Sequence, residues 1–105
     1  MHAIDLPKMK SDFRILETRR HSQTAVMRLE PGGVSSKRPS VHPDSEQTLF
    51  IIEGELVAEI EDHPIIIRRN ESLIIPAGSR HRILNYSEES AVAFTVYSPP
   101  AYPVG

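Results

Sequence analysis

Proline and glycine recur at short intervals along this chain, and their spacing limits the elements that it can form. The 105 residues include nine prolines and five glycines. The segments between them are short and rich in β-branched residues, and no helical period survives for more than a few residues. Short strands separated by turn residues are typical of an all-β sandwich or barrel. The sequence therefore predicts an all-β domain of about eight short strands.

Each predicted strand is an apolar or alternating run that ends at turn residues. The eight predicted strands are Phe13–Thr18, Gln23–Leu29, Thr48–Glu53, Leu56–Glu61, Ile65–Arg68, Ser72–Ile75, His81–Asn85 and Ala91–Ser98. Residues 1–12 are polar and broken by proline, so we expect an N-terminal arm at 1–12 and a single barrel domain at 13–105. The longest loop is Val34–Ser45, and loops of that length in compact domains tend to be functional.

Composition excludes several classes of protein. The chain has no cysteine, which rules out a disulfide framework and a thiolate metal site. Its formal net charge is −2, without the basic excess of a nucleic-acid binder. No apolar run approaches the roughly 20 residues that span a bilayer. We therefore expect a cytoplasmic protein with no nucleic-acid or membrane partner.

Two stretches place a histidine beside a Pro/Gly turn at the mouth of a strand. In the first, His42 lies in the loop between Pro39 and Pro43, and Gln47 follows just before an apolar run. In the second, His81 comes shortly after Pro76 and Gly78. A loop side chain and the first side chain of a strand can point over the same end of a sheet. The two stretches can therefore bring distant ligands to one point.

The first stretch resembles the first motif of the cupins, a family of small double-stranded β-helix barrels. That motif has a glycine, a His-x-His pair, then Glu or sometimes Gln, then six residues and a glycine. Its frame is occupied here by Gly33, Ser40, His42, Gln47 and Gly54.

The second stretch resembles the second cupin motif, Gly-x5-Pro-x-Gly-x2-His-x3-Asn. Asn70, Pro76, Gly78, His81 and Asn85 fill that frame without a gap. Asparagine replaces the first glycine, and it is the non-glycine residue that best tolerates positive φ. The two motifs together cover residues 33–85, about half of the chain. The resemblance implies an all-β fold of the double-stranded β-helix (jelly-roll-like barrel) type.

The resemblance also implies a site for one divalent transition metal ion, Zn²⁺, Ni²⁺, Fe²⁺ or Mn²⁺. The implied protein ligands are His42, Gln47 and His81, with water in the remaining positions. Ser40 stands where the family has its first histidine, and Gln47 stands at the acid position, as it does in cupins that open unsaturated uronate rings. Whether Asp44 or Glu46 supplies a substitute carboxylate stays open.

Without that carboxylate the site keeps a charge near +2, which favours an anionic ligand. The nearby basic residues Lys37, Arg38, Arg80 and Arg82 could strengthen this preference. The resulting hypothesis is a metalloenzyme of isomerase or lyase type that acts on a small carbohydrate-derived or other oxygenated acid. In that enzyme Tyr97 or a nearby acid could move protons.

Two alternatives remain open at this point. The first is a non-catalytic cupin that binds a small anion or sugar, and the second is a cupin dioxygenase. The missing histidine disfavours oxygen chemistry, which requires a firmly held redox metal. We further expect a homodimer with residues 1–18 at its interface, because short-stranded sandwiches leave edges that proteins cover or pair.

Overall fold

Eight antiparallel strands form two facing sheets, and no helix occurs in the residues that the structure describes. The computed structural model describes residues 1–6 and 13–103. The strands are β1 (Phe13–Thr18), β2 (Gln23–Leu29), β3 (Glu46–Glu53), β4 (Glu55–Ile60), β5 (His63–Arg68), β6 (Ser72–Ile75), β7 (His81–Leu84) and β8 (Ala91–Ser98). The all-β prediction is confirmed.

The strands divide unequally between the two sheets. One sheet has five strands in the order β1-β2-β8-β3-β6, and the other has three in the order β5-β4-β7. Residues 1–6 are exposed and form neither helix nor strand, whereas residues 7–12 of the predicted arm lie outside the described residues. The division into an arm and a barrel domain therefore stays a prediction.

The core lies between the sheets and is built by period-two alternation along the strands. On β3, for example, Leu49 and Ile51 point inward and are fully buried, while Phe50 between them is exposed. Burying one such aliphatic side chain contributes roughly 1.5–3 kcal/mol. The buried cluster comprises Met27, Leu29, Leu49, Ile51, Leu56, Ala58, Ile67, Ile75, Ile83, Ala91 and Ala93.

Two strands begin two residues earlier than the sequence predicts. Strand β3 starts at Glu46 rather than Thr48, and β5 starts at His63 rather than Ile65. The turn before β5 is the pair Glu61 and Asp62, whose φ angles are 49° and 66°. Two central residues with positive φ make the hairpin turn that best matches the twist of its strands. Proline at the second residue of β5 is tolerated because β5 is an edge strand.

The long loop before β3 runs alongside β7 and is bonded to it. Ser40 and His81 exchange two backbone hydrogen bonds, of 2.7 and 2.9 Å. Nearer the start of the loop, the Ser35 amide donates to the Ile83 carbonyl at 2.8 Å. The loop thus forms an irregular extra edge of the three-stranded sheet, and its hydrogen bonds to β7 hold it in a fixed position.

No helix in the described residues is long and apolar enough to cross a membrane.

Candidate functional site

A cavity of about 220 Å³ lies where strands β3 and β7 begin and β8 ends. Gln47 on β3 and Tyr97 on β8 are paired in register, and both side chains point inward and are buried. His81 is the first residue of β7, and His42 reaches in from the loop. The cavity is lined by Phe13, Met27, Leu29, Val34, Ser35, Ser40, His42, Gln47, His81, Ile83, Tyr97 and Tyr102. The structure therefore brings the three predicted metal ligands into one cavity.

The ring of His81 is held in a defined tautomer. Its Nδ1 lies 3.1 Å from the carbonyl oxygen of Ser79. Because a carbonyl only accepts, Nδ1 must carry a proton, and in a neutral ring Nε2 is then the nitrogen that can bind a ligand. A carbonyl on one ring nitrogen is the arrangement that orients metal-binding histidines in proteins. His81 is also 5% exposed, so its ring is fixed by packing as well.

His42 is a neutral imidazole in this environment. Burial lowers the pKa of His42 below its ordinary value, and the adjacent His81 lowers it further. Its ring also contacts Tyr97, with the two ring centroids 5.2 Å apart in an edge-on arrangement. The loop backbone is fixed at this point, since the His42 carbonyl accepts a hydrogen bond of 2.9 Å from the Gly78 amide. A neutral imidazole is the protonation state that metal binding requires.

Gln47 presents a buried acceptor that is not satisfied. Its side chain is 3% exposed, and Oε1 has no hydrogen-bond partner among the described residues. An unpaired buried polar atom costs about 1–3 kcal/mol, so such atoms generally have a ligand, ion or water to bind. The amide oxygen of Gln47 is therefore an acceptor that is free to bind a ligand, on a residue that lines the cavity.

These three side chains fit a borderline transition metal ion. The ring centroids of His42 and His81 lie 5.2 Å apart. Two imidazoles that bind one ion at about 2.1 Å with a tetrahedral angle between them have centroids roughly 5.3 Å apart. The described residues contain no cluster of three or more His, Cys, Asp or Glu that could hold an ion. A third protein ligand would therefore be the Gln47 oxygen, and a set of two imidazoles and an amide suits Zn²⁺, Ni²⁺, Fe²⁺ or Mn²⁺.

The charged residues near the ligands in sequence do not line the cavity. Asp44 and Glu46 are exposed and point elsewhere, so neither supplies a carboxylate in this structure. Lys37 and Arg38 likewise make no part of the cavity wall.

Arg80 and Arg82 are paired with acids on neighbouring segments. Arg80 lies 2.9 Å from Asp62, and Arg82 donates a hydrogen bond of 2.8 Å to Glu59, which raises the pKa of Arg82. Because side chains alternate along a strand, the residue after an inward His81 points outward. The expected extra positive charge is therefore absent from the cavity wall.

Tyr97, which the sequence suggests as a proton donor, does line the cavity. Burial raises the pKa of its phenol, and the neighbouring Tyr102 raises it further. The phenol is therefore protonated at neutral pH and can donate a hydrogen bond, but it cannot serve as a base there.

Sequence reasoning missed Tyr102 and Phe13, which come from opposite ends of the chain. Their ring centroids lie 5.1 Å apart, and both rings line the cavity. Neither residue lies in a recognisable motif.

Comparison with known proteins gives a family and a fold. Residues 25–97 match the family model described as a cupin domain. A crystal structure from Bacillus halodurans has a TM-score of 0.84 at 23% identity, covering 93% of this chain and 77% of that one. An RmlC-like cupin with a double-stranded β-helix fold from Methanocaldococcus jannaschii has a TM-score of 0.78 at 22% identity, covering 94% and 91% of the two chains.

Among curated proteins, the tetracenomycin polyketide synthase protein TcmJ of Streptomyces glaucescens is 36% identical over 73 residues, which are 70% of this chain and 48% of that protein. The chain spans about half the length of the curated relatives that it matches. The family match covers well over half of the sequence, and the two crystal structures share its two-sheet architecture. The chain therefore belongs to the cupins and has their double-stranded β-helix fold.

Proposed function

We propose that this cupin binds one divalent transition metal ion through His42, Gln47 and His81 and acts as an isomerase or lyase on a small oxygenated acid. The observation that carries the proposal is the buried, unpartnered Oε1 of Gln47, a residue that lines the same cavity as two imidazoles. When bound, a metal ion would polarise a carbonyl and stabilise negative charge on the substrate oxygen. A ligand set of two imidazoles and an amide is uncharged, so the positive charge of the metal ion would remain available to an anionic group of the substrate.

The chain's own residues would hold the substrate and exclude water. Tyr97 stays protonated because of its burial, so it would donate a hydrogen bond to an oxygen that gains negative charge. The apolar side chains of Leu29 and Ile83 line the cavity, and they would exclude water from the reacting group.

The first experiment measures metal content. Protein purified without a histidine tag should hold close to one transition metal ion per chain after reconstitution with Zn²⁺, Ni²⁺, Mn²⁺ or Fe²⁺. His81→Ala should lose most of this metal, because it removes one of the three proposed protein ligands and leaves a buried coordination position empty. His63→Ala is the matched control, since His63 is exposed and bonds only to the Glu61 carbonyl in the described structure. Elemental analysis that finds no metal with any of the four ions would refute the proposal.

A second candidate function is non-catalytic binding of the same kind of ligand. One observation favours it: no Asp, Glu, Lys or Arg of the described residues lines the cavity, and its two histidines, the general bases that remain, are the proposed metal ligands. Incubating the metal-loaded protein with uronates and keto acids separates the two functions. Conversion that His42→Ala abolishes supports the enzyme, whereas tight binding with the ligand recovered unchanged supports the binding protein.

A further inference from the structure

The segment 99–103, which follows β8, folds back and forms part of the cavity wall through one side chain. The Tyr102 ring contacts Tyr97 and His42, with centroid distances of 5.2 and 5.6 Å. It also packs on Phe13 near the start of β1. We refer to residues 99–103 as the C-terminal strap. The strap therefore brings an aromatic ring to the cavity from a part of the chain outside both sequence motifs.

A single buried side chain fastens this strap. Gln23, at the start of β2, is fully buried. Its Oε1 accepts hydrogen bonds from the amides of Ala101 and Tyr102, at 3.1 and 3.0 Å. Its Nε2 donates to the Tyr102 carbonyl and to the Thr18 hydroxyl, each at 3.0 Å. All four hydrogen-bonding positions of the amide are used, and three of them hold the strap, so the position of the Tyr102 ring is specified.

The cavity wall combines polar side chains with apolar and aromatic ones. The polar side chains include the candidate metal ligands together with Ser35 and Ser40. The apolar and aromatic part comprises Phe13, Met27, Leu29, Val34, Ile83, Tyr97 and Tyr102. A sugar acid carries a hydroxyl on nearly every carbon, and each buried hydroxyl without a partner is costly. A polyol would therefore leave hydroxyls without partners against the apolar side chains, whereas a ligand with one oxygenated end would not.

The rings in the wall also favour a flat ligand. In the cluster of Phe13, His42, His81, Tyr97 and Tyr102, the interplanar angles lie between 42° and 78°, so none of these pairs is stacked face to face. Aromatic rings interact best in offset-stacked or edge-to-face pairs. A planar conjugated ring in the cavity can form such pairs with this cluster, whereas a saturated ring of equal size cannot.

We propose that the ligand is a small planar conjugated molecule with one oxygenated end, such as an aromatic hydroxy acid, and that Tyr102, positioned by Gln23, selects it. The placement of the oxygenated end at His42, Gln47 and His81 rests on the proposed metal site. The selection by Tyr102 rests on the strap and the ring cluster alone.

The test compares two probes that carry a hydroxyl and a carboxylate on a planar ring and on a saturated ring. Salicylate and 2-hydroxycyclohexanecarboxylate carry the same oxygen groups, and galacturonate serves as the polyol acid. In calorimetric titrations of the metal-loaded protein, salicylate should bind roughly three- to tenfold more tightly than its saturated counterpart. Galacturonate should bind most weakly. Galacturonate binding more tightly than salicylate would overturn the inference.

Variants at Tyr102 isolate the role of the ring. Tyr102→Leu keeps apolar bulk and should abolish the preference for salicylate, whereas Tyr102→Phe should keep it. Gln23→Met should reproduce the loss without changing any residue of the cavity wall. Tyr86→Ala is the control, because Tyr86 is 71% exposed and is not part of the wall. Metal content should stay the same in all four variants. A preference that survives in correctly folded Tyr102→Leu would refute the selecting role of Tyr102.

The same variants separate this inference from the proposed function. If the protein binds no metal, the proposed function fails, and the selection by Tyr102 can still be measured. Benzoate and cyclohexanecarboxylate are then titrated into the metal-free protein by NMR. A preference for benzoate that disappears in Tyr102→Leu supports the inference, and equal binding of the two probes overturns it.

Discussion

A substitution at Gln47 can change the charge of the cavity while leaving its geometry almost unchanged. Gln47 places an uncharged side chain in the same cavity as two imidazoles, and its backbone is fixed by pairing with both Tyr97 and Ile75. A glutamate at the same position would put a formal negative charge on nearly the same atoms. The geometry of the site would then change little, while its electrostatic potential would change greatly.

We therefore expect Gln47→Glu to bind metal more tightly and anions more weakly than the parent. Each change should be roughly tenfold or more, because two unit charges a few ångströms apart interact strongly in a partly desolvated site. Competition with a metal-chelating dye measures the first change, and titration of the metal-loaded protein with phosphate and keto acids measures the second. The control is Glu46→Gln, an equal but opposite change of charge on an exposed neighbour. Unchanged anion binding in Gln47→Glu would mean that the cavity recognises shape rather than charge.

The sequence predicted the three candidate ligands because they lie in two motifs of fixed spacing. It gave no comparable signal for Tyr102, since the strap is held at the cavity by residues that are distant from it in sequence. A weaker signal was present at Gln23, a polar residue on the same strand face as Ala25, Met27 and Leu29. A polar side chain on a buried face needs partners, and here those partners belong to the strap.

Among the elements, the turn between β3 and β4 depends on a single glycine for two reasons. Gly54 has a φ of +73°, which side chains of L-residues rarely adopt. A Cβ at this position would also lie 2.9 Å from the Ser90 carbonyl oxygen. Gly78, before β7, has a similar φ of +81°, but nothing lies within 4 Å of a Cβ placed there. Both positions therefore require a positive φ, but only at Gly54 would a side chain also be crowded by neighbouring atoms.

This difference predicts unequal costs for the same substitution. Gly78→Ala should lower the free energy of unfolding by about 1–2 kcal/mol, the cost of a left-handed backbone for an L-residue. Gly54→Ala should lower it by about 1–3 kcal/mol more, because the added methyl group also displaces the chain at Ser90. Urea denaturation of both variants measures the two costs. Equal losses would show that the segment at Ser90 moves aside freely.

Element positions followed from the sequence more reliably than the faces of the strands. Asn70 has the positive φ predicted for it, at 69°. On β8, by contrast, Ala93, Thr95 and Tyr97 point inward, whereas Phe94 and Val96 between them are only half-buried. Both faces of that strand carry apolar residues, so alternation alone could not decide which face meets the core.

At the scale of the whole molecule, apolar side chains remain on the surface of the single chain. Phe50 and Ile74 on the outer face of the five-stranded sheet are 37% and 57% exposed. Ile4 and Leu6 in the N-terminal segment are 44% and 49% exposed. Exposed apolar groups next to an open sheet edge are typical of surfaces that bind another chain.

We accordingly expect a homodimer with the N-terminal segment at its interface. Light scattering at micromolar concentration should give about twice the chain mass of 11.8 kDa. The double variant Ile4→Asp, Leu6→Asp should shift the mass towards the monomer, because burial of the two new charges is costly. Ile66→Asp, at a 51% exposed position on the three-stranded sheet, is the control. A mass near 11.8 kDa for the parent would contradict the expectation.

The bonding of the long loop to β7 determines where molecules can pass into the cavity. Ser40 is joined to His81 by two backbone hydrogen bonds, and Ser35 is joined to Ile83 nearby, so the loop can open only if several bonds break together. The strap on the other side is hydrogen-bonded to a single side chain, that of Gln23, and is otherwise held by the packing of the Tyr102 ring. Ligands should therefore enter and leave the cavity on the side of the strap. Hydrogen exchange at the Tyr102 amide should be faster than at the Ser40 amide. The strap would then admit the ligand and, through Tyr102, also select it.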